Sequence, residues 1–157
     1  MSSSQPASKP RNVTFHAFDI ITLGETNHDQ SASDIWAVLT NPAMYDSNGI
    51  CNLTTTHSSS GFQVEIRDFK VDADLAMGCV ARCREDSPPI RKQDRSEVLR
   101  PLQNGDTLLE KNYFLYSKTD RVLIWQFNLS GNGYTTFANL LNTADSNLKC
   151  NTRGFNE

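Results

Sequence analysis

The residues in this chain with the clearest capacity for metal or covalent chemistry are four cysteines (Cys51, Cys79, Cys83, Cys150), three histidines (His16, His28, His57) and the aspartates Asp72 and Asp74. Cys79 and Cys83 are four residues apart, which on an extended strand puts both thiols on one face but separates them by roughly 13 Å, at about 3.3 Å per residue. One zinc ion is held by tighter cysteine pairs and needs two further ligands, and no spacing joins the three histidines to this pair. The even cysteine count does not imply a disulfide framework in a chain of this length, so the four are read as free thiols. Ser58, Ser59 and Ser60 follow His57 directly, yet sequence neighbours do not converge as a nucleophile, base and acid must, and no Gly-x-Ser-x-Gly elbow is present. Asp72 and Asp74 can share a strand face as metal or acid-base carboxylates, and they equally describe a solvated turn. The stretch "SGNGY" before an apolar run lacks both the Walker and the dinucleotide spacing and reads as a turn. The sequence therefore assigns no catalytic residue, no metal ligand and no cofactor.

A second constellation is basic. Arg82, Arg84, Arg91, Lys92, Arg95 and Arg100 gather over nineteen positions around a Pro-Pro pair, which would let them follow a phosphate backbone as nucleic-acid contacts. Glu85, Asp86, Asp94 and Glu97 lie among them, so six positive charges meet four negative ones and the local excess is +2. Such mixed charge describes a solvated link better than a one-sided nucleic-acid patch.

The whole chain is equally undirected in charge: 15 Lys and Arg against 18 Asp and Glu give −3, with 38% hydrophobic residues over 157 positions. This supports one hydrophobic core and argues neither for a general polyanion binder nor for a strongly acidic nucleic-acid mimic, leaving any such contact to a local patch. The start "MSSSQPASKPR" has no apolar stretch of signal-peptide length, and no segment reaches the eighteen or more apolar residues of a membrane span, so a cytoplasmic protein without membrane contact is expected. Asn12-Val-Thr, Asn52-Leu-Thr and Asn128-Leu-Ser match the glycosylation pattern and are read as coincidences in that setting.

Periodicity supplies the elements that would position any site. Residues 1–10 read as a flexible tail, 11–145 as one α+β domain and 146–157 as a polar C-terminal tail. "NVTFHAFDIITL" reads as a strand; Ser31 or Ser33 caps a short helix carrying Ile35, Trp36, Val38 and Leu39, closed by Asn41-Pro42. Met44 to Gly61 is crowded with turn-formers and reads as a mobile loop. "FQVEIRDFKV" alternates with Phe62, Val64 and Ile66 on one face, then breaks parity, which predicts a bulge near Arg67–Asp68 that returns Phe69 and Val71 to the core. A strand over Met77 to Arg84 pairs with it. The segment "EDSPPIRKQDRSE" reads as a solvated link. Thr107–Tyr116 and Arg121–Phe127 form a hairpin across Ser117–Asp120, apolar on both faces and hence central in an antiparallel sheet, partly covered on both sides. Tyr134, Phe137, Leu140 and Leu141 are spaced for a short helix packed on that sheet.

The order Glu110, Asn112, Phe114, a turn, Val122 to Phe127, a glycine-containing loop and a helix beginning at Tyr134 resembles the closing portion of poorly characterised β-rich proteins of phages and bacteria, a few associated with antiviral defence. The resemblance covers residues 108–141. It implies an accessory role and carries over no functional motif.

Aromatic residues enrich both cores and interfaces. Tyr45, Tyr113, Tyr116 and Tyr134 are the interface candidates. The functional expectation is a non-enzymatic binding or regulatory module with a protein partner, a homo-oligomer through sheet edges being one form of it. The alternatives are a nucleic-acid binder using residues 82–100 and a small hydrolase or metal-dependent enzyme whose site the sequence does not display.

Overall fold

Long runs of β-branched and aromatic residues with period-two alternation give this chain a sheet, and two short stretches of helical period give it the cover. The computed structural model describes residues 13–22, 28–47, 50, 54–56, 61, 63–84, 89–91, 97–99, 106–128 and 133–154. The order is β1 (Thr14–Thr22), α1 (His28–Leu39), a 3-10 turn (Pro42–Met44), β2 (Thr54–Thr56), β3 (Gln63–Asp72), β4 (Leu75–Arg84), β5 (Pro89–Arg91), β6 (Glu97–Leu99), β7 (Leu108–Ser117), β8 (Val122–Phe127), α2 (Thr135–Ala144) and β9 (Cys150–Gly154). Seven strands form one sheet in the order β2-β3-β4-β7-β8-β1-β9, every pairing antiparallel, while β5 and β6 pair separately. This is the expected α+β class, with the β7–β8 hairpin at the centre of the sheet.

One face of the sheet, here the inner face, carries the core. Phe18, Ile20, Val64, Ile66, Ala76, Val80, Phe114, Tyr116, Leu123 and Trp125 cluster with Ile35 and Leu39 of α1 and Phe137, Leu140 and Leu141 of α2. Both helices thus cover the same side, the arrangement an antiparallel sheet with segregated helices adopts. The Phe137 ring meets Phe114 at 4.7 Å between centroids and Trp125 at 6.3 Å. Thr22 and Ser31 share a buried hydroxyl–hydroxyl hydrogen bond of 2.5 Å that ties β1 to α1. Ser31 is therefore a buried residue inside a helix that starts at His28, not its cap. The helix ends as expected, because Pro42 has no amide hydrogen to continue it, and Asn41 accepts the Ala43 amide instead.

The predicted bulge is present. Pairing of β3 with β4 shifts between Arg67 and Lys70, and Asp68 takes a φ of 54°. Phe69 is thereby returned to the inner side, where it stacks on Tyr45 at 4.4 Å. Val71 is turned to the same side, opposite Ala76, but is 45% exposed and does not join the core.

Three segments read as irregular contain strands. Part of the expected mobile loop, Thr54–Thr56, adds β2 to the sheet by pairing with Gln63–Glu65; residues 51–53 and 57–60, with Cys51 and His57, lie outside the described residues. The expected link contains the β5–β6 pair, in which Ile90 stands opposite Val98. The expected C-terminal tail contributes β9, which pairs with β1 from Phe18↔Gly154 to Thr22↔Cys150. Runs of three to five residues are too short to show a period, so backbone pairing decides them: β2 and β9 against longer neighbours, β5 and β6 against each other. The expected N-terminal tail, residues 1–10, lies outside the described residues. Among the described residues no helix is long and apolar enough to cross a membrane.

Candidate functional site

The inner face has no residue poised for covalent chemistry among those described. On the same face Arg82 and Arg84 converge on one carboxylate: Nε and Nη2 of Arg82 donate to Oε2 of Glu110, the former at 2.9 Å, and Nη1 of Arg84 donates to Oε1 at 2.7 Å. The register Arg82↔Glu110 and the two-residue spacing of the arginines place all three on one side of β4 and β7. Burial pulls the Glu110 carboxyl upward, but the donors from Arg84 and Arg82 and their charges outweigh it and hold the group below its ordinary range. Next along the strand, Asn112 is fully buried and donates through Nδ2 to the Gln126 carbonyl at 3.0 Å, while the Tyr113 amide donates to Oε1 of Gln126 at 3.0 Å. The β7–β8 ladder is registered from Phe114↔Trp125 to Ser117↔Val122, and these two side chains bridge the strands beyond it.

Two of the six basic candidates are therefore turned onto the inner face and share Glu110. Arg91 lies in β5, and Lys92, Arg95 and Arg100 lie outside the described residues. Cys79 and Cys83 do lie on one face of β4, the outer one. Burial pushes the Cys79 thiol up to about 12 and raises that of Cys83, so neither is a ready thiolate. Burial likewise lifts Cys150 to about 12. Cys79, Cys83 and Cys150 are free thiols. Ser58–Ser60 and His57 lie outside the described residues, as do residues 130–132 of the glycine loop. His16 stands on the inner face at the end of β1, its ring 5.3 Å from that of Phe127.

The outer face carries the feature that sets this sheet apart. Where one side of an antiparallel sheet meets solvent, alternation ordinarily makes that side polar. Here the register runs Met77↔Leu115, Leu115↔Ile124 and Ile124↔Ala17, an apolar row across β4, β7, β8 and β1. The neighbouring row holds Tyr113, opposite Cys79, and Phe15, opposite Gln126. Phe15 is 55% exposed, Tyr113 49% and Ile124 38%. The second covering layer expected over these strands is absent among the described residues at these three positions.

Charged groups flank the row in opposite-sign pairs. The left-handed backbone at Asp68 brings its carboxylate within reach of both Lys111 Nζ, which donates at 2.6 Å, and Cys79 Sγ, which donates at 3.5 Å. The hydrogen bond from Lys111, then that from Cys79, lowers the Asp68 carboxyl, and the same contact raises the Lys111 ammonium. Arg67 and Glu65 form a second pair at 2.6 Å. On the other flank Asp19 of β1 stands opposite Arg153 of β9.

Of the four tyrosines singled out from sequence, Tyr113 is on this face and Tyr134 is 37% exposed at the head of α2, stacked on Phe18 at 4.0 Å. Tyr45 is half-buried against Phe69. Tyr116 is a correction: it is fully buried in the core because its strand parity matches Phe114, so it presents no interface. Phe15 and Ile124 were not singled out. Their signal was the two-sided apolar character of β1 and β8, which marks a face needing cover as well as a central strand. Comparison with protein-family models, curated proteins and solved structures returns no match for this chain, so its own residues carry the functional assignment.

Proposed function

We propose that this chain is a non-enzymatic protein-binding module that engages its partner through the outer face of β4, β7, β8 and β1. The observation that supports this most is the exposure of Phe15, Tyr113 and Ile124 together on one face of the sheet. Two half-exposed aromatic rings and an aliphatic row give apolar area on the scale of patches that mark interaction sites. Aromatic residues at such positions supply binding energy at little entropic cost. A rim of paired charges around an apolar centre is the ordinary anatomy of a protein interface. An accessory role of the kind implied by the resemblance of residues 108–141 fits a module of this type.

The nucleic-acid reading gains less support. Arg82 and Arg84 share Glu110, and their side chains are only 13% and 22% exposed, which places them poorly for following a phosphate backbone. The test is isolation of tagged full-length chain from its own cells, with and without nuclease. The expected result is a retained protein, insensitive to nuclease, that is lost with Phe15→Lys and kept with Asn139→Lys on the exposed side of α2. Retention that nuclease abolishes, or that Phe15→Lys leaves intact, contradicts the proposal.

A further inference from the structure

We infer that the groove between the C-terminal ends of α1 and α2 is a binding site for a small organic cation, an ammonium or guanidinium group carried on an apolar body. The two helices pack against each other on the inner side of the sheet, away from the outer face. The groove encloses about 440 Å³, and its lining includes Asp34 and Val38 of α1, Met44 of the 3-10 turn, and Ala144, Asp145 and Leu148 at the end of α2 and just beyond it. That volume falls in the range of small-molecule sites, about 300–1,000 Å³. Met44 and Leu148 belong to the core, and Val38 and Ala144 pack against it, so the apolar part of the lining is continuous with the interior.

The polar part is negative throughout. Asp34 Oδ1 accepts from Gln30 Nε2 at 2.7 Å, and Asp145 Oδ1 accepts from the Asn147 amide at 2.9 Å. Both donors are neutral and engage one oxygen of each carboxylate, and among the described residues neither carboxylate has a basic partner. The helices add to the same sign, because a helix C-terminus carries roughly half a negative elementary charge and neither α1 nor α2 has a basic residue in its last turn to offset it. No basic residue lines the groove. Both carboxylates also reach one buried sulfur beside it: burial is the main cause that lifts the Cys150 thiol to about 12, and Asp145 and then Asp34 push it the same way. Two carboxylates and two helix ends thus focus a negative potential on one small apolar hollow.

The apolar side chains select the kind of cation. A metal ion takes oxygen, nitrogen or sulfur donors on all sides, which Val38, Met44 at its methyl end, Ala144 and Leu148 do not supply, and no cluster of three or more metal-ligating side chains occurs among the described residues. An alkylammonium or alkylguanidinium satisfies both halves of the groove. Its stem covers apolar surface, while its head donates to a carboxylate oxygen that Gln30 or Asn147 leaves open.

Titration of the full chain with hexylammonium, followed by amide proton–nitrogen correlation spectra, tests this, with hexanol as the neutral probe of the same length. The expected result is saturable shifts at the amides of Val38, Ala144 and Leu148, with hexylammonium bound at least about tenfold tighter than hexanol. Asp34→Asn and Asp145→Asn each keep an oxygen for Gln30 or Asn147 and remove only the charge, so each is expected to retain the folded spectrum, to weaken hexylammonium several-fold and to leave hexanol unchanged. Absence of saturable shifts at these amides, equal affinity for the two probes, or undiminished hexylammonium binding in either folded variant overturns the inference. Nα-acetyl-lysine methylamide, which presents the same ammonium on a peptide backbone, is measured alongside. Weaker binding than hexylammonium supports a free small cation, and tighter binding overturns it by assigning the groove to a side chain of another protein.

Discussion

Asn142 of α2 holds both backbone polar groups of Cys150 with one side chain, accepting its amide hydrogen and donating to its carbonyl. An amide side chain has the donor and acceptor of a neighbouring strand in miniature, so α2 closes the sheet where β9 would stand open. Asn142→Ala is expected to cost roughly 1–3 kcal/mol by leaving these groups without their partner. Chemical denaturation measures the loss, and faster amide exchange confined to β9 localises it. An unchanged midpoint contradicts the capping role.

Gly78 is required by its neighbours. A Cβ at this position would lie 3.0 Å from the Arg67 carbonyl oxygen and 3.2 Å from two ring carbons of Phe114. The ring lies across the glycine from the adjacent strand and fills the space a side chain would take. Gly78→Ala is expected to destabilise by about 1–3 kcal/mol through overpacking. A midpoint equal to that of the parent chain would show that Phe114 moves aside freely.

Tyr116 carries a hydroxyl that is buried with no hydrogen-bond partner among the described residues. Leaving such a group unsatisfied costs roughly 1–3 kcal/mol, so Tyr116→Phe is expected to raise stability by an amount on that scale. A clear loss of stability would show that the hydroxyl is held.

Glu110 sets an acid limit. Its carboxyl is lowered from an ordinary value of 4.5, so the ionised form is favoured in the folded state. The stability it contributes is present above that value and is lost as pH falls through the lower, folded-state value, where protonation removes the acceptor that Arg82 and Arg84 share. Glu110→Gln is expected to be less stable than the parent at neutral pH and to show a flatter decline on acidification. Parallel pH curves for the two proteins would contradict this role.

The sheet's centre was legible in sequence because the runs of β7 and β8 are apolar on both faces, the composition of a central strand. Alternation located the Arg67–Asp68 bulge, since a single parity break inside an otherwise regular strand has few other causes. What was illegible is short or non-local. β9 has five residues, exposed at Asn151 and Arg153, and exists through its pairing with β1 more than a hundred residues earlier. The partnership of Arg82 and Arg84 with Glu110 spans only 28 and 26 residues, yet it too needs the β4–β7 register, which no local pattern encodes. At the candidate site, choosing tyrosines by residue type found Tyr113 and also Tyr116, which register places in the core. Parity would have separated them and drawn attention to Phe15 and Ile124.

The most direct test of the protein-binding face is photo-cross-linking in the cell, with benzoylphenylalanine placed at Tyr113 on the outer face and, separately, at Asn139 on the exposed side of α2. The account predicts a discrete adduct, one protein heavier than the single chain, from position 113 and none from position 139. Equal labelling from both positions, or none from position 113, would contradict it.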